Sequence, residues 1–186
     1  DMTTRGRNIS VIFGDGAGAV VMTRTESNSI GILNSQLHSE GKHAKELSLI
    51  GPSTGRWVPE IMKENNPEDI SYYPFMNGQF VFKNSVVRFT EVINAGLKKA
   101  GWKPNEIDML IPHQANLRIA EFVQKKFGLS DNQVYNNIQR YGNTTAASIP
   151  IALTEAWEEG KIEKGNKVVL AAFGSGFTWG SIMIQW

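Results

Sequence analysis

Two short runs hold the residues best suited to chemistry. Ile111-Pro112-His113-Gln114-Ala115-Asn116 sets an imidazole at the end of an apolar stretch. Tyr141-Gly142-Asn143-Thr144-Thr145-Ala146-Ala147-Ser148 sets a carboxamide about thirty residues later. An imidazole fixed through one ring nitrogen donates a hydrogen bond from the other. A carboxamide donates from its NH2 group. Converging on one point, these two neutral donors would hold an oxygen on which negative charge develops, each worth about 3 kcal/mol in the transition state. Taken singly, His113 reads as a satisfied structural histidine and Asn143 as a turn residue after glycine. Two strand-to-helix junctions that both present polar side chains argue instead for one shared crevice.

Three further groups need weighing. Phe173-Gly174-Ser175-Gly176 reads by spacing as a glycine-rich turn, although such a turn also exposes backbone N–H groups to close approach. Gly14-x-Gly16-x-x-Ala19 formally satisfies the dinucleotide fingerprint. It is rejected because that motif needs a helix facing the pyrophosphate, whereas Val20-Val21-Met22 reads as a continuing strand. Arg118, Lys125 and Lys126 follow His113 on one helix, where about 100° per residue puts Arg118 and Lys125 on a common face. Lys83 starts the preceding helix. Together they are either a solvated surface or a basic patch for an acidic partner.

The elements that must position these groups follow from periodicity. Ile9–Met22 reads as strand, tight turn, strand, and Lys167–Trp186 repeats that pattern around FGSGFTWG. The echo between Phe13-Gly14-Asp15-Gly16 and Phe173-Gly174-Ser175-Gly176 suggests two structural repeats, with the body of the earlier one lying before Asp1. Residues 34–78 predict strand, loop and short helix. Apolar residues at steps of three and four predict an amphipathic helix over Gln79–Ala100, ending at Gly101. A buried strand over Glu106–Ile111 and a helix from about Asn116 to Phe127 follow. Gln133–Asn137 reads as a short strand and Gln139–Asn143 as a loop. A last helix runs to about Glu159 with Pro150 in its first turns. This alternation predicts an α/β layered fold.

The totals narrow the function classes. The 186 residues are 41% hydrophobic and 20% charged, the balance of an ordinary globular protein. A net charge of +1 gives no general attraction to nucleic acid. No apolar run approaches the roughly 20 residues of a bilayer span, so no membrane partner is expected. Cysteine is absent, removing disulfides, thiolate metal sites and a thiol nucleophile together. A cytoplasmic setting fits.

With these residues laid out, the chain resembles the carboxyl-terminal part of the beta-ketoacyl-acyl-carrier-protein synthase III family, initiating condensing enzymes of bacterial fatty acid synthesis. The resemblance runs from FGDGAGAVV through MNGQFVFKNSV, IPHQANLRI and YGNTTAASIPIAL to FGSGFTWG. It implies the layered thiolase-like fold, two similar α/β halves packed face to face. Residues 1–33 would end the first half and residues 34–186 would form the second. It implies joining of a short acyl group from coenzyme A to malonyl-acyl-carrier protein with loss of carbon dioxide. His113 and Asn143 match two members of the family's Cys-His-Asn triad, and both would donate to the malonyl thioester oxygen. The backbone N–H of Ser175, where glycine is common, matches part of the oxyanion hole for the acyl thioester. Gly78, Phe82 and Asn116 match the pantetheine tunnel. Lys83, Arg118, Lys125 and Lys126 match the surface for acyl-carrier protein. No metal and no cofactor are implied, coenzyme A being a thioester substrate, and the full enzymes are homodimers.

One departure is large: the family's nucleophile is a thiolate, and no residue here replaces it. The expectation is a fragment that condenses nothing alone, with the cysteine upstream. Competing readings are a type III polyketide synthase relative, whose histidine usually sits before Pro-Gly-Gly, and a secondary-metabolite acyltransferase. A non-catalytic subunit that binds carrier protein is a third, and predicts salt-sensitive binding weakened by Arg118→Glu.

Overall fold

Leu110 faces one way and its neighbours Met109 and Ile111 the other, and that alternation sets the architecture. The computed structural model describes residue 9, residues 11–49 and residues 74–186. In chain order the elements are β1 (Gly31–Ser39), β2 (Leu47–Ser48), β3 (Phe75–Met76), α1 (Gly78–Ala100), β4 (Met109–Pro112) and α2 (Leu117–Phe127). They continue with α3 (Ile138–Tyr141), α4 (Ser148–Glu158), β5 (Lys167–Gly174) and β6 (Thr178–Gln185). Four strands form one sheet in the order β1-β6-β5-β4, while β2 and β3 pair separately. β4 runs parallel to β5, with Ile111 opposite Leu170, and the other two pairings are antiparallel.

All four residues of β4 are buried, because helices cover both of its faces. On one face α1 and α2 bring Phe89, Ile93, Leu97, Ile119 and Val123 against Leu110, Val169 and Ala171. On the other, Ala152 and Ala156 of α4 meet Met109, Ile111 and Val168. Each large side chain taken out of water here contributes about 1.5–3 kcal/mol. The result is a helix–sheet–helix sandwich whose strand ends open toward one rim.

The helices lie where periodicity puts them. α1 ends against Gly101 and α2 against Gly128, and Pro150 is the third residue of α4. Other readings need correction. Ile9–Met22 is not a hairpin: Phe13 makes a single parallel bridge to Asn143, and Val20, Val21 and Met22 are exposed. A β-branched run becomes a strand only where a neighbour offers a matching series of backbone groups, and among the described residues no strand pairs with 15–22. The fingerprint Gly14-x-Gly16-x-x-Ala19 is therefore followed by neither helix nor strand. Gln133–Asn137 is not a strand either, since only Val134 bridges to Leu110 and a 3-10 turn occupies Asp131–Gln133. The expected loop at 139–143 is largely the short helix α3. Of the region 34–78, residues 50–73 lie outside those described. The rest of it gives β1, a 3-10 turn and the β2/β3 pair.

Candidate active site

β4 ends at Pro112, and His113 is the next residue, its N–H donating to the carbonyl of Ala171 on β5 (2.8 Å). The backbone at His113 is thus an extension of the parallel ladder, which fixes where the ring leaves the sheet. Nδ1 of the imidazole lies 2.6 Å from Oγ of Ser148, the first residue of α4. Nε2 has no hydrogen-bond partner among the described residues. Burial pushes the imidazole down to about 4, so the ring is neutral near pH 7.

Asn143 is held from three directions. Its N–H donates to Ile12 (2.8 Å), and its carbonyl accepts from Gly14 (3.0 Å). Its side-chain Oδ1 accepts from the N–H of Thr145 (2.9 Å), and Nδ2 has no acceptor among the described residues. Thr145 pays a backbone cost for this, with φ at 53° in the left-handed region that β-branched residues avoid. Two glycines permit the close chain crossing. A Cβ at Gly14 would stand 1.9 Å from the carbonyl oxygen of Tyr141. One at Gly142, where φ is 69°, would stand 2.9 Å from that of Ile12. The Phe13 segment, read from the sequence as one arm of a hairpin, is instead the strap across Asn143.

A single buried carboxamide ties the two junctions together. Gln114, 3% exposed, donates from Nε2 to the carbonyls of Pro112 (2.7 Å) and Tyr135 (3.3 Å). Its Oε1 accepts from the N–H groups of Asn137 (3.0 Å) and Ile138 (3.1 Å), at the start of the helix that leads to Asn143. From the other side, Glu155 of α4 accepts from Tyr141 (2.5 Å), Asn137 (2.7 Å) and Arg140 (2.7 Å). Burial alone would raise the Glu155 carboxyl, but the Tyr141 and Asn137 hydrogen bonds and the Arg140 charge hold it below the usual range. The segment carrying Asn143 is clamped on both flanks.

His113 and Asn143 line one cavity of about 990 Å³, and so do Ser175, Gly78, Phe82 and Asn116. Six residues singled out from the sequence thus share one space. Ser175 stands at the turn between β5 and β6, with its Oγ donating to the carbonyl of Leu47 (2.5 Å). Its N–H has no acceptor among the described residues. Asn116 spends its Oδ1 on capping α2 through the N–H of Arg118 (2.9 Å), so only its NH2 faces outward. Gly78 opens α1 with no atom of the described residues near the place a Cβ would take. Lys83, Arg118, Lys125 and Lys126 lie outside the cavity, exposed and in no ion pair among the described residues. Lys83 and Arg118 stand one and two residues along the chain from the cavity-lining Phe82 and Asn116. Sequence reasoning missed Ser148 and Gln114. The only signal was their polarity at otherwise buried junctions.

Neutral His113 has a consequence for stability. Unfolded, the ring takes a proton near pH 6.5; folded, it does so only near pH 4. Between these values the unfolded chain binds more protons, so folding stability falls as pH drops through that window. The loss attributable to this ring is expected to reach about 3 kcal/mol at pH 4. Urea unfolding at pH 7 and pH 4 should show that loss shrinking in His113→Gln, and an equal loss in both proteins would remove the explanation.

Among the described residues, no group of three or more His, Asp or Glu is placed to hold a metal ion, and no helix is long and apolar enough to cross a membrane. The family described as 3-oxoacyl-[acyl-carrier-protein (ACP)] synthase III C terminal matches residues 97–186. The family described as 3-oxoacyl-[acyl-carrier-protein (ACP)] synthase III matches residues 1–41. The chain is 45% identical over 184 residues to a beta-ketoacyl-[acyl-carrier-protein] synthase III of Caldanaerobacter subterraneus subsp. tengcongensis, covering 98% of this chain and 54% of that protein. It is 43% identical over 180 residues to that of Desulfotalea psychrophila, covering 97% and 54%. Among solved structures it is similar to 3-oxoacyl-[acyl-carrier-protein] synthase III from Aquifex aeolicus, with a TM-score of 0.83 and 40% identity over 97% of this chain and 52% of that one. The beta-ketoacyl synthase III of Thermus thermophilus gives a TM-score of 0.81 at 33% identity, over 100% and 55%. The chain spans about half the length of the curated relatives it matches.

Proposed function

Because this chain belongs to the 3-oxoacyl-[acyl-carrier-protein] synthase III family, with its thiolase-like fold, we propose that it carries the decarboxylating half of that family's condensation site. The substrate is a malonyl thioester on acyl-carrier protein. Its partner substrate is a short acyl group, acetyl in the simplest case, brought by coenzyme A. The observation that carries the reading is that His113 Nε2 and Asn143 Nδ2 have no partner among the described residues, while the other side-chain polar atom of each is engaged, on the wall of one cavity.

The thioester carbonyl oxygen accepts from both groups. As the malonyl carboxylate leaves as carbon dioxide, its bonding pair moves onto the adjacent carbon and delocalises to that oxygen as an enolate. Neutral donors preorganised in a mainly apolar wall stabilise this charge without rearranging. In the whole reaction the enolate carbon attacks the carbonyl of an acyl-cysteine thioester, the C–S bond breaks to release the cysteine thiolate, and a 3-oxoacyl-acyl-carrier protein results. The chain contains no cysteine, so that step needs a thiol it does not supply. The N–H of Ser175 serves the acyl oxygen in that step. Gly78, Phe82 and Asn116 flank the pantetheine arm, and no metal or cofactor takes part. Lys83, Arg118, Lys125 and Lys126 meet the acidic carrier protein at the rim. Residues 1–33 belong to a first α/β half and residues 34–186 to a second, in a cytoplasmic homodimer.

Enolate formation requires no thiol, which makes the half-reaction testable on this chain. Given malonyl-acyl-carrier protein and acetyl-coenzyme A, the chain is expected to release carbon dioxide and leave acetyl-acyl-carrier protein after the enolate takes a proton from water. It is expected to form no acetoacetyl product. Carbon dioxide release no faster than the uncatalysed rate, or a robust acetoacetyl product, would overturn the reading.

A further inference from the structure

His113 can act as a donor only if the proton of its neutral ring sits on Nε2, and nothing in the imidazole itself guarantees this. The decision lies in how the proton of one hydroxyl is placed. Ser148 is 2% exposed, so its O–H needs an acceptor inside the protein. Its Oγ already accepts from the N–H of Gln114 (3.3 Å). Its only other hydrogen-bond neighbour among the described residues is His113 Nδ1, at 2.6 Å. Were the ring protonated at Nδ1, that N–H would also point at Oγ. Oγ would then receive two donors while its own proton had no acceptor. With Nδ1 bare, every proton in the set finds a partner: Gln114 N–H to Oγ, and Ser148 O–H to Nδ1. Leaving a buried donor unpaired is the costlier arrangement.

We propose that Ser148 is a positioning residue whose hydroxyl selects the Nε2-protonated tautomer of His113, so that the ring presents a donor to the cavity. The inference deepens the role given to His113 above and rests on that reading for its meaning in catalysis. Its geometry does not depend on that role. Ser148 opens α4, at the positive end of that helix's dipole, and its own N–H donates to the carbonyl of Thr145. A bare nitrogen is the form of Nδ1 that suits such a place. Because Gln114 N–H feeds the same hydroxyl, the relay begins one residue from His113 and returns to its ring. The carboxamide of that same Gln114 reaches toward the Asn143 segment.

The test reads the tautomer itself. In long-range proton–nitrogen spectra of the 15N-histidine-labelled chain at pH 7, without substrate, the His113 signals are identified by their loss in His113→Gln. Nδ1 is expected at the position of an unprotonated nitrogen and Nε2 at that of a protonated one. In Ser148→Ala a population protonated at Nδ1 is expected to appear, and Ser148→Thr, which keeps the hydroxyl, is expected to restore the single form. A wild-type ring protonated at Nδ1 overturns the proposal whatever the variants do. So does a folded Ser148→Ala protein with the wild-type pattern. Should Ser148→Ala fail to fold, the wild-type spectrum and Ser148→Thr decide. None of these readings uses turnover, so an absence of malonyl decarboxylation would count against the proposed function and leave the tautomer result standing.

Discussion

His113→Ala and Asn143→Ala are each expected to slow carbon dioxide release from malonyl-acyl-carrier protein by about 10²- to 10³-fold, with binding of the thioester changed far less. The size follows from what one preorganised donor contributes where charge develops, about 3 kcal/mol. The split between rate and binding follows from timing. The ground-state carbonyl carries little charge, so the donors matter mainly once the enolate forms. The two losses should not add. With one donor gone the oxygen shifts toward the other or admits water, so the double variant is expected to be only modestly slower than the worse single one. Stopped assays of carbon dioxide release across substrate concentration would measure all three. A single variant that raises KM while leaving kcat intact would mean the residue binds substrate and does not hold the enolate.

Gln114→Leu is expected to destabilise the fold by about 3 kcal/mol, seen as a drop in melting temperature of about 6–12 °C. Leucine fills much of the volume but removes a carboxamide with four hydrogen bonds. The carbonyls of Pro112 and Tyr135 and the N–H groups of Asn137 and Ile138 would lose this partner beside or within a buried junction. Gln114→Glu keeps an acceptor for Asn137 and Ile138 but sets a carboxylate oxygen against the Pro112 carbonyl, and it is expected to be no better. Because Gln114 links the segment after β4 to the segment before Asn143, both variants should also separate the two candidate donors. Surviving Gln114→Leu protein would then decarboxylate slowly even below its melting point. Thermal unfolding followed by circular dichroism would check the first part, and a melting temperature within a degree or two of wild type would refute it.

The sequence by its local patterns determined the long helices and the two junctions that carry His113 and Asn143. The three- and four-residue steps gave α1, and glycines at 101 and 128 marked where two helices end. The apolar run before His113 put that ring at a strand end, and Gly142 put Asn143 at a junction. The motifs around them were specific enough to carry the family, its fold and the six residues that share the cavity. Only the tertiary structure decided the pairings that span distance along the chain. Whether Ile9–Met22 becomes a hairpin depends on a neighbouring strand, which no local pattern encodes, and here the segment straps Asn143 instead. Ser148 reaches His113 across 35 residues, and Gln114 reaches Asn137 and Ile138 across 23 and 24. A hydroxyl or a carboxamide looks the same in a sequence whether it faces water or closes such a link. Burial makes the difference, because away from water every donor must find its acceptor within the fold.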